Sequence, residues 1–169
     1  MGINQSALCK LITVGERNIV NLTDEGFQYC NGFVLVECDY SMDKVVSKLI
    51  RVGALKIGKE VKSLLTYDLS KWTDTSKDIP AHKTDYLRES GNIIGRVFKV
   101  DDNYYLYNKT LVDIFEDAKY TATIDGGSAI LKAYNGDKFI GLALNMRIKQ
   151  ADIKTEMQEI SKEKPQIEG

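Results

Sequence analysis

The spacing of apolar and polar positions changes period several times along the chain. Leu8, Leu11 and Ile12 recur at helical spacing, and Asn4 stands where an N-cap is wanted. This predicts a helix over Gln5 to Val14, with Gly15 in its C-terminal turn. The period then shortens. Asn18–Leu22, Phe27–Cys30 and Phe33–Cys38 are rich in β-branched and aromatic residues and read as strands. Asp24-Glu25-Gly26 turns the first into the second. Asn31-Gly32 between the second and third predicts a two-residue type I′ hairpin, since both central residues of that turn need positive φ.

Helical spacing returns after Ser41. Val45, Val46, Leu49 and Ile50 share one side, while Asp43, Lys44, Lys48 and Arg51 project elsewhere. A helix capped by Asp39 or Ser41 is expected through about Val52, ended by Gly53. Ala54–Ile57 and Val61–Tyr67 read as strands around Gly58, and Asp68–Trp72 as one helical turn that anchors Trp72 at the core edge. Thr73–Ser90 is the most polar internal stretch and contains Pro80; it reads as a loop or tether with one helical turn at Lys83–Arg88.

Strands resume at Ile93–Val100 and Tyr104–Tyr107, around the turn Asp101-Asp102-Asn103. Asn108 then caps an expected helix, Lys109–Ala118, whose inward residues are Leu111, Val112 and Phe115. Tyr120–Ile124, Ala129–Tyr134 and Phe139–Arg147 complete the set, joined by Asp125-Gly126-Gly127 and Asn135-Gly136-Asp137. Residues 150–169 are charged, with few large apolar side chains, and are expected to form a disordered polar tail with at most a transient helix before Pro165.

The expected class is α+β, in one domain over residues 1–149. A helix followed by three strands occurs at 5–38 and recurs at 109–147, where a strand hairpin leads in. Tyr107-Asn108 opens the second helix, and the chain closes on Ile140-Gly-Leu-Ala-Leu-Asn-Met-Arg147. With Phe27-Gln-Tyr-Cys-Asn-Gly-Phe-Val-Leu-Val, these features resemble domains of the bacterial-type DNA sliding clamp family. Met146-Arg147 matches the family's closing pair, and Asn145 stands where Met-Pro is usual. The resemblance covers about residues 3–40 and 93–148, and the middle, residues 41–92, is longer than a clamp linker and resembles the insert of single-domain clamp-like proteins of phages and mobile elements. It implies two βαβββ units (3–40 and 93–149) with their helices on one face, separated by a variable insert (41–92). It also implies a non-enzymatic role in DNA replication, as a scaffold or accessory factor. The partners implied are double-stranded DNA through backbone contacts, a polymerase or other host protein, and further copies of the chain.

Charge modifies this picture. The net charge is −1, so no global field favours nucleic acid. Locally, Lys44, Lys48, Arg51, Lys56, Lys59 and Lys62 outnumber Asp43 and Glu60, and this stretch is the candidate surface for DNA or an acidic partner. The second helix is acidic at Asp113, Glu116 and Asp117, where a DNA-lining helix would be basic. Those carboxylates suit the alternative function, a protein–protein module that inhibits or redirects a host factor.

Other chemistry is sparse. His82 is the only histidine and lies in a polar stretch, so no histidine-dependent triad forms. There is no P-loop, and Gly126-Gly127 joins strands without opening a helix. No catalytic residue, metal site or cofactor is expected. Cys9, Cys30 and Cys38 contain no C-x-x-C and fit reduced thiols of a cytoplasmic protein. No apolar run approaches the ~18 residues of a membrane span, and the first residues lack the layout of a secretory signal.

Overall fold

The computed structural model describes residues 2–15, 17–55, 74–148 and 150–163. The expected strands Ala54–Ile57 and Val61–Tyr67 and the helical turn at Asp68–Trp72 lie outside those residues, save for Ala54 and Leu55, which are not in a strand.

The first unit comprises α1 (Gln5–Val14), β1 (Ile19–Thr23), β2 (Gly26–Cys30) and β3 (Val34–Cys38). Asn4 caps α1 as its side chain predicts: Oδ1 accepts from the Ala7 amide at 3.0 Å. The β2–β3 turn departs from the expected type I′ form. Gly32 takes a positive φ of 95°, but Asn31 does not. The Asn31 carboxamide instead accepts from the amides of Phe33 and Val34, both at 2.9 Å, and this side-chain closure lengthens the turn. α2 (Asp43–Arg51) follows. Neither expected cap serves it, because Asp39 spends its carboxylate on the amide and hydroxyl of Ser41. Gly53, at φ 76°, ends it.

Next come β4 (Ile79–Ser90), β5 (Ile93–Val100) and β6 (Asn103–Asn108), then α3 (Lys109–Val112), β7 (Lys119–Asp125), β8 (Ser128–Asn135), β9 (Lys138–Ala143) and α4 (Gln150–Glu163). The strands form one antiparallel sheet in the order β1-β2-β3-β9-β8-β7-β4-β5-β6. The two three-strand sets meet through their last strands, with Val34 opposite Ala143 and Val36 opposite Gly141. The order 1-2-3 is therefore mirrored by 9-8-7. In front of α1, Ile3 makes a single bridge to Phe115.

The main core lies on the face covered by α1, α2 and α3. Leu8 and Ile12, Val45 and Leu49, and Leu111 and Val112 pack there against Phe27, Tyr29, Val36, Phe98, Tyr107 and Leu131. α1 packs along α2 and touches α3.

Four further expectations need correction. Thr73–Ser90 is not a tether with a helical turn: β4 occupies most of it, pairing with β7 through Ile79 and Pro80 and then running along β5 past a bulge between Lys83 and Leu87. Its polar residues find tertiary partners. Thr84 donates to the Val97 carbonyl at 2.6 Å, Tyr86 packs on the α4 cluster, and Arg88 meets Glu156 at 3.0 Å. Residues 150–163 are helical, not disordered, because Ile153 and Met157, one turn apart, bury against Val97 and Leu106. The expected helix Lys109–Ala118 stops after Val112. The Ile114 carbonyl accepts from the Asn4 amide, and the Glu116 amide donates to the Gly2 carbonyl, so the chain pairs with residues 2–4 and leaves the helix. β9 ends at Ala143, short of Arg147: Asn145 accepts from the Ala129 amide, and Met146 donates to the Leu106 carbonyl.

Candidate nucleic-acid interface

Burial of Val45 and Leu49 under α1 fixes the rotation of α2 and turns Lys44, Lys48 and Arg51 away from the core. Lys44 and Arg51 are exposed and Lys48 is half-buried. Lys56, Lys59 and Lys62 lie outside the described residues. The structure adds a cation that the sequence-based candidate set left out, Lys10, exposed on α1. A hollow of about 230 Å³ opens between the two helices, lined by Cys9, Lys10, Thr13, Val14 and Lys48. The spacing of Lys10 from Leu11 and Ile12 marks it as a surface residue, but only the packing of α1 on α2 brings it beside Lys48.

No carboxylate among the described residues forms a salt bridge with Lys10, Lys44, Lys48 or Arg51. Burial pushes the Cys9 thiol, which lines the hollow, up, against the opposing pull of the Lys48 and Lys44 charges. Thr13 donates its hydroxyl to the Cys9 carbonyl at 2.8 Å.

The acidic candidates are dispersed. Asp113, at the C-cap of α3, is ion-paired with Lys109. Glu116 and Asp117 lie past the helix end, and Asp117 adopts φ 49°. The three carboxylates do not share a helix face.

A polar cluster that sequence reasoning missed lies on the opposite face of the sheet. Lys132 of β8 is 0% exposed. Its Nζ is 2.7 Å from Asp78 Oδ1 and 3.1 Å from the Asp74 carbonyl. The hydroxyls of Thr121, Thr123 and Tyr134 also donate to Asp78, at 3.0, 3.1 and 3.1 Å. Thr121 pairs opposite Lys132 across β7 and β8, so the alternation of polar residues on these strands marks one face. Asp78, more than forty residues upstream, has no such signal. Burial raises its carboxyl, but hydrogen bonds from Lys132, Thr121 and Thr123 outweigh this and hold it below the ordinary aspartate value. The Lys132 ammonium and the three hydroxyls all bond within the cluster. It is a clasp that fastens the start of β4 to β7 and β8.

A groove of about 960 Å³ lies between the β1–β2 turn, the end of β3 and the β8–β9 turn, with Asp24, Glu25, Glu37 and Asp39 along it. Gln28 accepts from Asn21 at 2.9 Å and donates to Glu37 at 2.6 Å. Burial pushes the Glu37 carboxyl up, against the Gln28 hydrogen bond and the Lys138 charge. Among the described residues, no group of histidine, cysteine and carboxylate side chains is arranged to hold a metal ion. None of the described helices is long and apolar enough to cross a membrane.

No protein-family model, curated protein or solved structure matches the chain. The surfaces above therefore carry the functional argument by their own chemistry.

Proposed function

We propose that the chain is a non-enzymatic, clamp-like protein of phage or mobile-element type that binds duplex DNA through the sugar-phosphate backbone and serves replication as a scaffold or accessory factor. The clamp-like reading draws support from two helix-plus-three-strand units joined through their last strands, with α1 and α3 on one face of the sheet. The observation that carries the DNA-binding reading is the basic face of α2, formed by Lys44, Lys48 and Arg51, which no carboxylate among the described residues pairs. Lysine meets phosphate as a point charge, and contacts to the phosphate backbone carry no sequence information, which suits contact without sequence preference. A clamp that encircles DNA needs several such domains, so the reading includes assembly of several copies. The alternative surface, Asp113, Glu116 and Asp117, lacks the common helix face that a recognition helix would present.

The test is fluorescence anisotropy of a labelled mixed-sequence duplex, titrated with protein at 50 and 200 mM salt. Three phosphate contacts imply a log–log salt slope of about −2.7, or roughly 40-fold weaker binding at the higher salt. Replacing Lys44, Lys48 and Arg51 together by glutamate abolishes the binding. An absence of binding at 50 mM salt, or a triple variant that binds like the parent, defeats the proposal.

A further inference from the structure

We infer that Lys10 of α1 and Lys48 of α2 grip one and the same backbone phosphate of duplex DNA, in the hollow between the two helices. This deepens the reading of α2 as a DNA-facing element and rests on it.

The two ammonium-bearing side chains come from different helices and line the same hollow of about 230 Å³. Like charges brought together repel, and among the described residues that line the hollow none is a carboxylate. Burial pushes its thiol up, away from the thiolate, and its threonine hydroxyl proton is committed to the Cys9 carbonyl. No described carboxylate pairs with either lysine. A phosphate diester entering between them removes the repulsion and meets donors from both sides. Lys44 lies one turn before Lys48 on α2 and Arg51 nearly one turn after, so neighbouring phosphates of the strand meet cations along the same helix.

The surface suits nucleic acid better than an anionic membrane. A helix that lies in a lipid interface turns a broad apolar face outward. Here the apolar residues of α1 and α2, Leu8, Leu11, Ile12, Val45 and Leu49, are buried in the core. At the outer ends only Val14 and Val52 are exposed among the large apolar residues of these helices.

A shared phosphate predicts coupling. Duplex affinity is measured by anisotropy from 50 to 200 mM salt for the parent, Lys10→Ala, Lys48→Ala, Arg51→Ala and the doubles Lys10→Ala/Lys48→Ala and Lys48→Ala/Arg51→Ala. Each single substitution weakens binding. If Lys10 and Lys48 serve one phosphate, their double variant reduces the magnitude of the salt slope by about 0.9, and the Lys48/Arg51 double also reduces it by about 0.9, because Lys10 still holds the shared phosphate and only the Arg51 contact is lost. An unchanged Lys10→Ala variant, or a Lys10/Lys48 double that reduces the slope by about 1.8, overturns the inference and leaves DNA binding by α2 standing. A parent protein that binds no duplex at 50 mM salt overturns both. Vesicles of phosphatidylcholine with and without phosphatidylserine form the second arm. Retention on the anionic vesicles that depends on Lys10 and Lys48, with no duplex binding, overturns the inference in favour of a membrane surface. Circular dichroism of each variant checks that the substitutions leave the fold intact.

Discussion

Removing either partner of the Lys132–Asp78 pair strongly destabilises the fold, and the two removals differ in size. Lys132 is 0% exposed, and its ammonium has Asp78 at 2.7 Å and the Asp74 carbonyl at 3.1 Å. Asp78→Ala leaves that charge facing one neutral carbonyl. Lys132→Met leaves the Asp78 carboxylate with three hydroxyl donors and 10% exposure of its side chain. Breaking a buried pair from one side costs about 3–5 kcal/mol. Asp78→Ala belongs near the upper end and Lys132→Met near the lower. With a urea m-value of roughly 2 kcal/mol per M, the midpoint falls by about 1.5–2.5 M. The double variant Asp78→Leu/Lys132→Met removes both charges, and is expected to be more stable than Asp78→Ala alone. Equilibrium urea unfolding, followed by far-ultraviolet circular dichroism and tryptophan fluorescence, measures all three. The pH dependence is a second readout. The folded Asp78 carboxyl lies below its ordinary value of about 3.9. Its contribution is therefore present above that value and is lost as pH falls toward the folded pKa. The gap between the parent and Asp78→Asn accordingly narrows below about pH 4. A single-variant cost under about 1 kcal/mol, or an Asp78→Ala variant no worse than the double, would show that no charge is stranded and refute this reasoning.

Three further outcomes follow from the packing. Ile153→Ala empties a buried position against Val97 and Leu106, costs about 2 kcal/mol locally, and releases α4; hydrogen exchange should rise across residues 150–163 with the core strands still protected, and uniform loss of protection would contradict a separately docked helix. Gly141→Ala puts a Cβ against the Leu35 carbonyl and the Phe115 ring at the β3–β9 junction, so its thermal midpoint should fall by several degrees, whereas Gly127→Ala, with open space around it, should be near neutral. Asn4→Ala removes the side-chain acceptor for the Ala7 amide and costs about 1 kcal/mol in urea unfolding, with Asn4→Asp retaining most of the stability.

What was legible along the chain was local and repetitive. The cap at Asn4, the stripe on α1 and the strands β1–β3, β5 and β7–β9 follow from periods and turn residues within a few positions of one another. The basic face of α2 was legible for the same reason: Val45 and Leu49 set the rotation, and Lys44, Lys48 and Arg51 follow from it. β4 escaped detection because its inward stripe is Thr84, Tyr86 and Arg88, polar or half-buried side chains that meet a carbonyl, an apolar cluster and a carboxylate from elsewhere in the chain. α4 escaped because two buried apolar residues are too few to outweigh a charged composition by inspection.

Helix or strand identity is a property of neighbours, and the sequence by itself determined it wherever apolar spacing was strong. It also determined that the class is α+β, because both periods occur, and that Leu111, Val112 and Phe115 are core residues. Only the tertiary structure decided what lies beside what. It joined β3 to β9, stopped α3 at Val112 by pairing residues 114–116 with residues 2–4, and brought Asp78 onto Lys132. It also set Lys10 across a hollow from Lys48. Charge and hydrogen-bonding capacity are carried by each residue, but the partner that satisfies them is chosen by packing over long sequence separations, and no local pattern encodes that choice.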